Sequence, residues 1–479
     1  MSIKFGTDGW RAVIAEDFTF ENVRLVAQAT ADAILERHSG TQAPEVVVGF
    51  DTRFLSDRFA IETACVLAAN DIIVWLSRAD APTPAISYNV KAKQAAAGVM
   101  ITASHNPPRY NGYKLKASYG ASATAEETQL VEQNIEKLLA NGAKPRVMNY
   151  EQALASERIR RFDPSWPYYQ HLSQLIDFDA INSRELNVVV DAMWGAGRGA
   201  FPSLLARTRT RVTEIRGALN PGFGGIHPEP IPKFLKEVVA AVQNLHADVG
   251  LVTDGDADRS GAVDNLGRFV DPHHIMALSL RHLLVHRRLR GAVVKTISTT
   301  AMLDKMARHY NLPLYETPVG FNHIGDLMMK HDVLIGGEES GGISIKGHIP
   351  EGDGVLMGLL LLEVMSRWEG TLAELIADLQ SEFGPAVYGR NDFRLERQLN
   401  KKEIVRQLEE TAPARLNGQS VQRINKLDGI KYYMADDSWL LIRPSGTEPM
   451  LRVYAEAPTQ ADVDALLLEG GALGKALIR

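Results

Sequence analysis

One pattern recurs three times along this chain: a strand, a helix and two further strands, the last running into a short polar loop. That recurrence fixes most of what the chain can fold into. In the first copy Val46–Gly49 reads as a strand, Asp57–Ala69 as an amphipathic helix, Ile72–Leu76 as a second strand and Ala95–Ile101 as a third. The second copy runs Leu186–Val190, Gly199–Thr208, Arg211–Ile215 and Val249–Thr253, and the third Ala292–Lys295, Ala301–Tyr310, Leu314–Glu316 and Val333–Ile335. The strands are short and apolar, as expected of strands buried on both faces, and each unit spans roughly 100 to 130 residues. Three related α/β domains with mixed sheets follow from this reading.

Beyond Tyr388 the grammar changes. Helical Lys401–Thr411 precedes strand-like Ser420–Ile424, Ile430–Met434, Trp439–Ile442 and Leu451–Glu456, and helical Ala461–Ala476 closes the chain, which reads as a smaller α+β C-terminal domain. The 479 residues therefore divide at 1–148, 149–265, 266–386 and 387–479, with linkers expected near Lys144–Ser156, Asn265–Asp271 and Phe383–Asp392.

Charge narrows the partners. Lysine and arginine total 52 against 58 acids, a net charge of -6, so no basic field calls for nucleic acid or an anionic membrane, and small anions must be held locally. The lone Cys65 excludes an intrachain disulfide and suggests a reducing compartment. Met1–Arg11 lacks the make-up of a signal peptide, and the longest apolar run, Val355–Met365, falls short of the ~20 residues of a membrane span. It reads as a buried helix in a cytoplasmic protein.

The loops after the third strands carry the chemistry. Met100–Lys114, MITASHNPPRYNGYK, ends an apolar run in Ser104 and His105, just past the C-terminal end of a strand, where open α/β sheets place ligands. DGDADR sets Asp254, Asp256 and Asp258 at alternate positions after a buried strand, so three hard carboxylates can converge on one divalent cation. An EF-hand is excluded by Arg259 at the sixth loop position and Asn265 at the twelfth, and an all-oxygen set suits magnesium. Glu338, Glu339 and Ser340 in GGEESGG suit sugar hydroxyls. RPSGTEP, with Arg443, Ser445, Gly446 and Thr447, offers an arginine fork, two hydroxyls and a glycine for a phosphate. Gly195–Ala200 matches G-x-G-x-x-A with Glu214 downstream, but Asp191–Trp194 separate it from its strand, which disfavours a dinucleotide site. No G-x-S-x-G elbow occurs, and Asp258 stands where an aspartyl phosphatase needs Thr or Val, so the nucleophile is Ser104, acting as a phosphate carrier beside magnesium.

Taken in order, FGTDGWR, TASHNPPRYNGYK, DGDADR, GGEESGG and RPSGTEP resemble the motif series of the α-D-phosphohexomutases. The resemblance implies that Ser104 is phosphorylated in the resting enzyme and joins Asp254, Asp256 and Asp258 in coordinating Mg²⁺. Ser104 would pass its phosphoryl group to a hexose phosphate, giving a bisphosphate that turns around and rephosphorylates it, with hexose 1,6-bisphosphate as primer. Arg11, Lys114 and Arg259 would neutralise the transferring group. His105, Glu338 and Ser340 would contact the sugar phosphate, and Arg443, Ser445, Gly446 and Thr447 the distal phosphate.

Two positions depart from the family pattern. Gly342 replaces a histidine usual in phosphomannomutase/phosphoglucomutases and Gly352 a lysine usual in phosphoglucomutases, which leaves His348 and Lys114 as candidates for the acid/base. GEES resembles phosphoglucomutases more than the GEQS of phosphoglucosamine mutases. The expectation is interconversion of glucose 1-phosphate and glucose 6-phosphate by a monomer or homodimer. The alternatives are mannose or glucosamine phosphate by the same mechanism, a phosphosugar phosphatase, or a non-catalytic phosphosugar-binding protein.

Overall fold

The computed structural model describes residues 3–6, 9–395, 400–445 and 449–476. Its first three sheets share one order. In the first domain Glu45–Phe50 lies parallel between Ile73–Ser77 and Ala97–Ile101, and Ala97–Ile101 turns back into the antiparallel strand Tyr110–Ala117. The second domain repeats this with Asn187–Asp191 between Arg211–Ile215 and Val249–Thr253, followed by antiparallel Ser260–Asp264. In the third, Ala292–Thr296 lies between Leu314–Thr317 and Val333–Gly337, followed by antiparallel Ile343–Ile345. The repeat expected from the sequence is thus a repeat of topology. Each chemical loop is the turn between a buried parallel strand and its antiparallel return.

Burial explains why these segments become central strands. Ala97–Ile101, Val249–Thr253 and Val333–Gly337 are buried along their whole length, so each must be apolar on both faces. The helix Gly354–Ser366, buried over all but its last residue, packs against the second sheet and belongs to a core that runs through the first three domains. Among the described residues no helix is long and apolar enough to cross a membrane. Cys65 is buried as well, and burial pushes its thiol up to about 11, which leaves it unreactive.

The C-terminal domain is an antiparallel sheet of six strands, running from Val387–Arg394 through Met450–Ala457, Trp439–Pro444, Ile430–Met434 and Gln419–Asn425 to Arg415–Leu416, with the helix Gln460–Ala476 against it. It has its own core. A separate small cluster, Ile297 with Trp439, Leu441 and Tyr454, joins it to the third domain.

The expected domain limits need three corrections. Ile159–Phe162 pairs in parallel with Ile73–Ser77, so the first sheet continues past residue 148, and the expected linker Lys144–Ser156 contains the helix Tyr150–Ala155. Phe269–Val270 pairs with Ser260–Asp264 and carries the second sheet past residue 265. Val387–Arg394 is an edge strand where a linker was expected. In each case a strand too short or too polar to stand out in the sequence completes a sheet edge.

Candidate active site

Ser104 sits one turn beyond the buried strand Ala97–Ile101 with φ 52°, in the left-handed region. That conformation costs an L-residue roughly 1–2 kcal/mol and needs support. Its N–H donates to Thr102 Oγ1 at 2.8 Å, and the Thr102 hydroxyl donates to Asp51 Oδ2 at 2.6 Å. Arg53, fully buried and 3.1 Å from Asp51, donates to the carbonyls of Ser104, Asn106 (2.8 Å), Pro107 (2.9 Å) and Tyr110 (3.1 Å). One buried guanidinium therefore clamps the whole serine loop. Sequence reasoning missed Asp51 and Arg53; their one signal is the polar DTR that directly follows the buried strand Glu45–Phe50.

The three aspartates meet that serine. Ser104 Oγ donates to Asp254 Oδ2 at 2.9 Å, and one carboxylate oxygen from each of Asp254, Asp256 and Asp258 falls within 4.8 Å of the others. The approach depends on Gly255, where a Cβ would lie 2.4 Å from the Ser104 carbonyl oxygen. Lys114, on the return strand, donates to Asp256 at 2.8 Å and Asp258 at 2.9 Å, while Thr83 donates to Asp256 at 2.6 Å. Burial, then Asp258 and Asp256, push the Asp254 carboxyl well above the ordinary range. Burial pushes Asp256 the same way, but Lys114 and Thr83 more than offset it and hold that group low. Asp256 Oδ1 is buried with no hydrogen-bond partner. An all-oxygen donor set, crowded negative charge and an unsatisfied inward oxygen fit Mg²⁺.

Cations surround the serine. Arg11 donates to Asn106 Oδ1 at 2.8 Å within the serine loop, and Arg259 follows the triad with its backbone N–H 3.2 Å from Asp254 Oδ1 and its guanidinium 3.5 Å from Glu229. Half-buried His105 has Nδ1 3.4 Å from Ser104 Oγ. Burial, then Arg259, Arg11, Lys114 and Arg53, depress its pKa well below the ordinary histidine value, so it is a neutral ring.

In the GGEESGG loop the Ser340 hydroxyl donates to Glu338 Oε1, and burial, with Glu339 adding, pushes the Glu338 carboxyl up to about 7. Glu339 turns elsewhere. Its Oε2 accepts from Ser298 at 2.5 Å and Thr296 at 3.3 Å, tying it to the wall of the third domain. Gly352 packs on the DGDADR loop, where a Cβ would lie 2.7 Å from the Asp258 carbonyl, so no side chain fits at that departure from the family pattern.

His348 bonds to His171 and not to the aspartate triad. Its ring is fully buried, with Nδ1 3.0 Å from His171 Nε2 and Nε2 3.1 Å from Asp353 Oδ2. Asp353 also accepts from Tyr168 and caps the buried helix through the Leu356 N–H. The His348 ring is closed to solvent, its Nδ1 bond to His171 fastens the second domain to the third, and its Nε2 faces Asp353 without a hydrogen bond. The G-x-G-x-x-A match is likewise structural, since Glu214 accepts the Gly199 N–H at 2.7 Å and so binds its own loop.

In the C-terminal domain Arg443 is the last residue but one of the strand Trp439–Pro444, and Ser445 follows the strand with its N–H on Met450 O at 2.8 Å. Gly446 and Thr447 lie outside the described residues.

Four domain families match in register with this architecture. "Phosphoglucomutase/phosphomannomutase, alpha/beta/alpha domain I" covers residues 2–141, domain II 166–267, domain III 271–383 and the C-terminal domain 399–469. A phosphoglucomutase/phosphomannomutase of Thermococcus kodakarensis is 31% identical over 460 residues, 95% of each chain. A phosphoglucosamine mutase of Limosilactobacillus fermentum is 33% identical over 96% of this chain and 95% of its own. A crystal structure described as a candidate phosphomannomutase from Thermus thermophilus superposes with a TM-score of 0.86 at 33% identity, covering 99% of this chain and all of that one. Matched along all four domains and related over nearly its full length, the chain belongs to the phosphoglucomutase/phosphomannomutase family of α-D-phosphohexomutases, enzymes of intramolecular phosphoryl transfer.

Proposed function

We propose that this protein interconverts glucose 1-phosphate and glucose 6-phosphate, with Ser104 carrying the phosphoryl group between them. The observation that carries the reading is Ser104 Oγ at 2.9 Å from Asp254, beside buried Asp256 and half-buried Asp258 and flanked by Lys114. Asp254, Asp256 and Asp258, with Ser104, would hold Mg²⁺, which when bound supplies charge neutralisation to a transferring phosphoryl group. Arg11, Lys114 and Arg259 add positive charge around it, and the Arg53 clamp keeps Ser104 in one position. Of the two acid/base candidates, Lys114 is the one at the triad and is the group we assign to proton transfer.

Glu338 and Ser340 would bind the sugar hydroxyls, with His105 beside the reacting phosphate. Arg443 and Ser445, with Gly446 and Thr447, would grip the phosphate that is not reacting. Hexose 1,6-bisphosphate serves as intermediate and primer. Turnover is tested with glucose, mannose and glucosamine 1-phosphates, each with its bisphosphate; a preference for glucose supports the reading, and a preference for glucosamine overturns the choice of sugar.

Glucosamine phosphate is the competing substrate, for two reasons. The relative from Limosilactobacillus fermentum is named for it. Glu339, the residue that separates GEES from GEQS, is also bound to Ser298 and Thr296, so it acts on the loop and not by touching a sugar.

A further inference from the structure

Arg443 is held in an unusual way. Its side chain is 13% exposed, and its Nε donates to Asp428 Oδ2 at 2.7 Å. The two terminal nitrogens have no hydrogen bond to any described residue. A carboxylate that takes Nε alone leaves the flat end of the fork, the edge that binds phosphate through two parallel bonds, pointing free.

Asp428 is unusually well fixed for a residue in a turn. It lies between the strands Gln419–Asn425 and Ile430–Met434 and is 3% exposed. The following Gly429, at φ 100°, presses against the arginine's strand, where a Cβ would sit 2.6 Å from Ile442 O and 3.0 Å from Arg443 Cα. The Oδ2 atom that holds Arg443 also accepts the backbone N–H of Val319 at 3.0 Å, and Oδ1 is paired with Lys401. Val319 belongs to the third domain, in the loop between Leu314–Thr317 and Phe321–Lys330. That domain also carries Glu338 and Ser340. Burial pushes the Asp428 carboxyl up, but Arg443 and Lys401 more than offset it, so the group stays ionised.

We infer that Asp428 is a positioning residue: it aims the free edge of Arg443 at the non-reacting phosphate and registers that edge to the domain that orients the sugar. The inference rests on the reading of RPSGTEP as the distal phosphate site. Its physical content is preorganisation, because an arginine fixed in advance at Nε does not lose its rotamer freedom on gripping the anion. The Val319 contact adds a geometric constraint. A hexose bisphosphate has a fixed span, so tying the grip to the third domain sets how far the distal phosphate lies from the sugar loop in both orientations of the intermediate.

The test uses the full-length, Mg²⁺-loaded enzyme and steady-state kinetics with glucose 1-phosphate and glucose 6-phosphate in both directions, or with whichever hexose phosphate pair the substrate panel selects. Asp428→Asn keeps shape and one acceptor but removes the charge that locks Nε. KM should rise about tenfold for both substrates, with kcat within about threefold and the Mg²⁺ dependence unchanged. In an Arg443→Ala background the same change should add less than about twofold, because the group it aims is gone. A structural role alone would instead lower the melting temperature and act equally in both backgrounds, and that result overturns the inference, as does an unchanged KM in Asp428→Asn. Should Asp428→Asn fail to fold, Asp428→Ser, which keeps a shorter acceptor, carries the same expectations. An unchanged KM in Arg443→Ala alone is the distinguishable failure: it refutes the phosphate-site reading itself, and the inference falls with it.

Discussion

The two ends of the proposed substrate path hold their key groups by opposite means. At the serine end Ser104, Asp254, Asp256 and Lys114 are all at most 1% exposed and are braced from three strand ends at once. At the arginine end Arg443 lies in a domain joined to the third through the cluster of Ile297, Trp439, Leu441 and Tyr454 and through hydrogen bonds such as Val319 to Asp428, and one carboxylate sets its direction. Phosphoryl transfer needs charges in place before the reaction, which a buried, over-determined site provides. A grip that must accept and release substrate is better built on an arginine aimed in advance whose anion contacts form and break with each turnover. Substitutions at the serine end should therefore destroy turnover, while those at the arginine end should weaken binding.

Ser104→Ala carries the largest expected effect, because it removes the carrier itself. Turnover of glucose 1-phosphate, followed by coupled assay with bisphosphate present, should fall on the order of 10⁴-fold or more while the fold is kept. Asp256→Asn comes next. It keeps an oxygen but removes a charge that faces Lys114, and kcat should drop about 10²- to 10³-fold, with chelation stopping the wild-type enzyme reversibly. Arg443→Ala should raise KM about ten- to a hundredfold for both hexose phosphates and leave the Mg²⁺ response unchanged, the loss of roughly 1.5 to 3 kcal/mol of charge-assisted bonding. A fall in kcat larger than the rise in KM would break the contrast between the ends.

The smallest effect on chemistry is expected at His348, which belongs to the fixed part of the molecule. His348→Gln should cost about 1–3 kcal/mol of stability with kcat within about threefold, read by thermal melts beside the kinetics. Its neighbour His171 gives the same seam a pH signature. Burial, then His348, lowers the His171 pKa from 6.5 to about 4. Between those values the unfolded chain binds the extra proton and the folded one does not, so the contribution is present above pH 6.5 and is lost as the pH falls toward 4. The melting temperature should decline across that window, and His171→Gln should flatten the decline.

Much of this was legible in the sequence because the chemistry sits where the apolar runs stop. The aspartate triad and Glu338 directly follow a buried strand and Ser104 comes three residues after one, and the alternation of acids in DGDADR is itself a statement about convergence. What was not legible depends on long-range bonds. Arg53 acts on backbone carbonyls about fifty positions away, which leave no mark in a side-chain pattern. His348 stands as a candidate because Gly342 and Gly352 replace the residues usual in the family, but its partner His171 lies 177 positions back, and no sequence pattern marks that bond. Ile159–Phe162, with two arginines among four residues, carries no strand signal apart from the sheet edge it completes.

The claim on which the rest depends is that Ser104 is a phosphoryl carrier, and one measurement addresses it directly. The wild-type enzyme is incubated with ¹⁸O-labelled glucose 1,6-bisphosphate, digested and analysed by peptide mass spectrometry. Labelled phosphate should appear on Ser104, be lost again when unlabelled glucose 6-phosphate is added, and be recovered in the sugar bisphosphate. Phosphate found only on another residue, or a label on Ser104 that passes to water and never to the sugar, would contradict that claim.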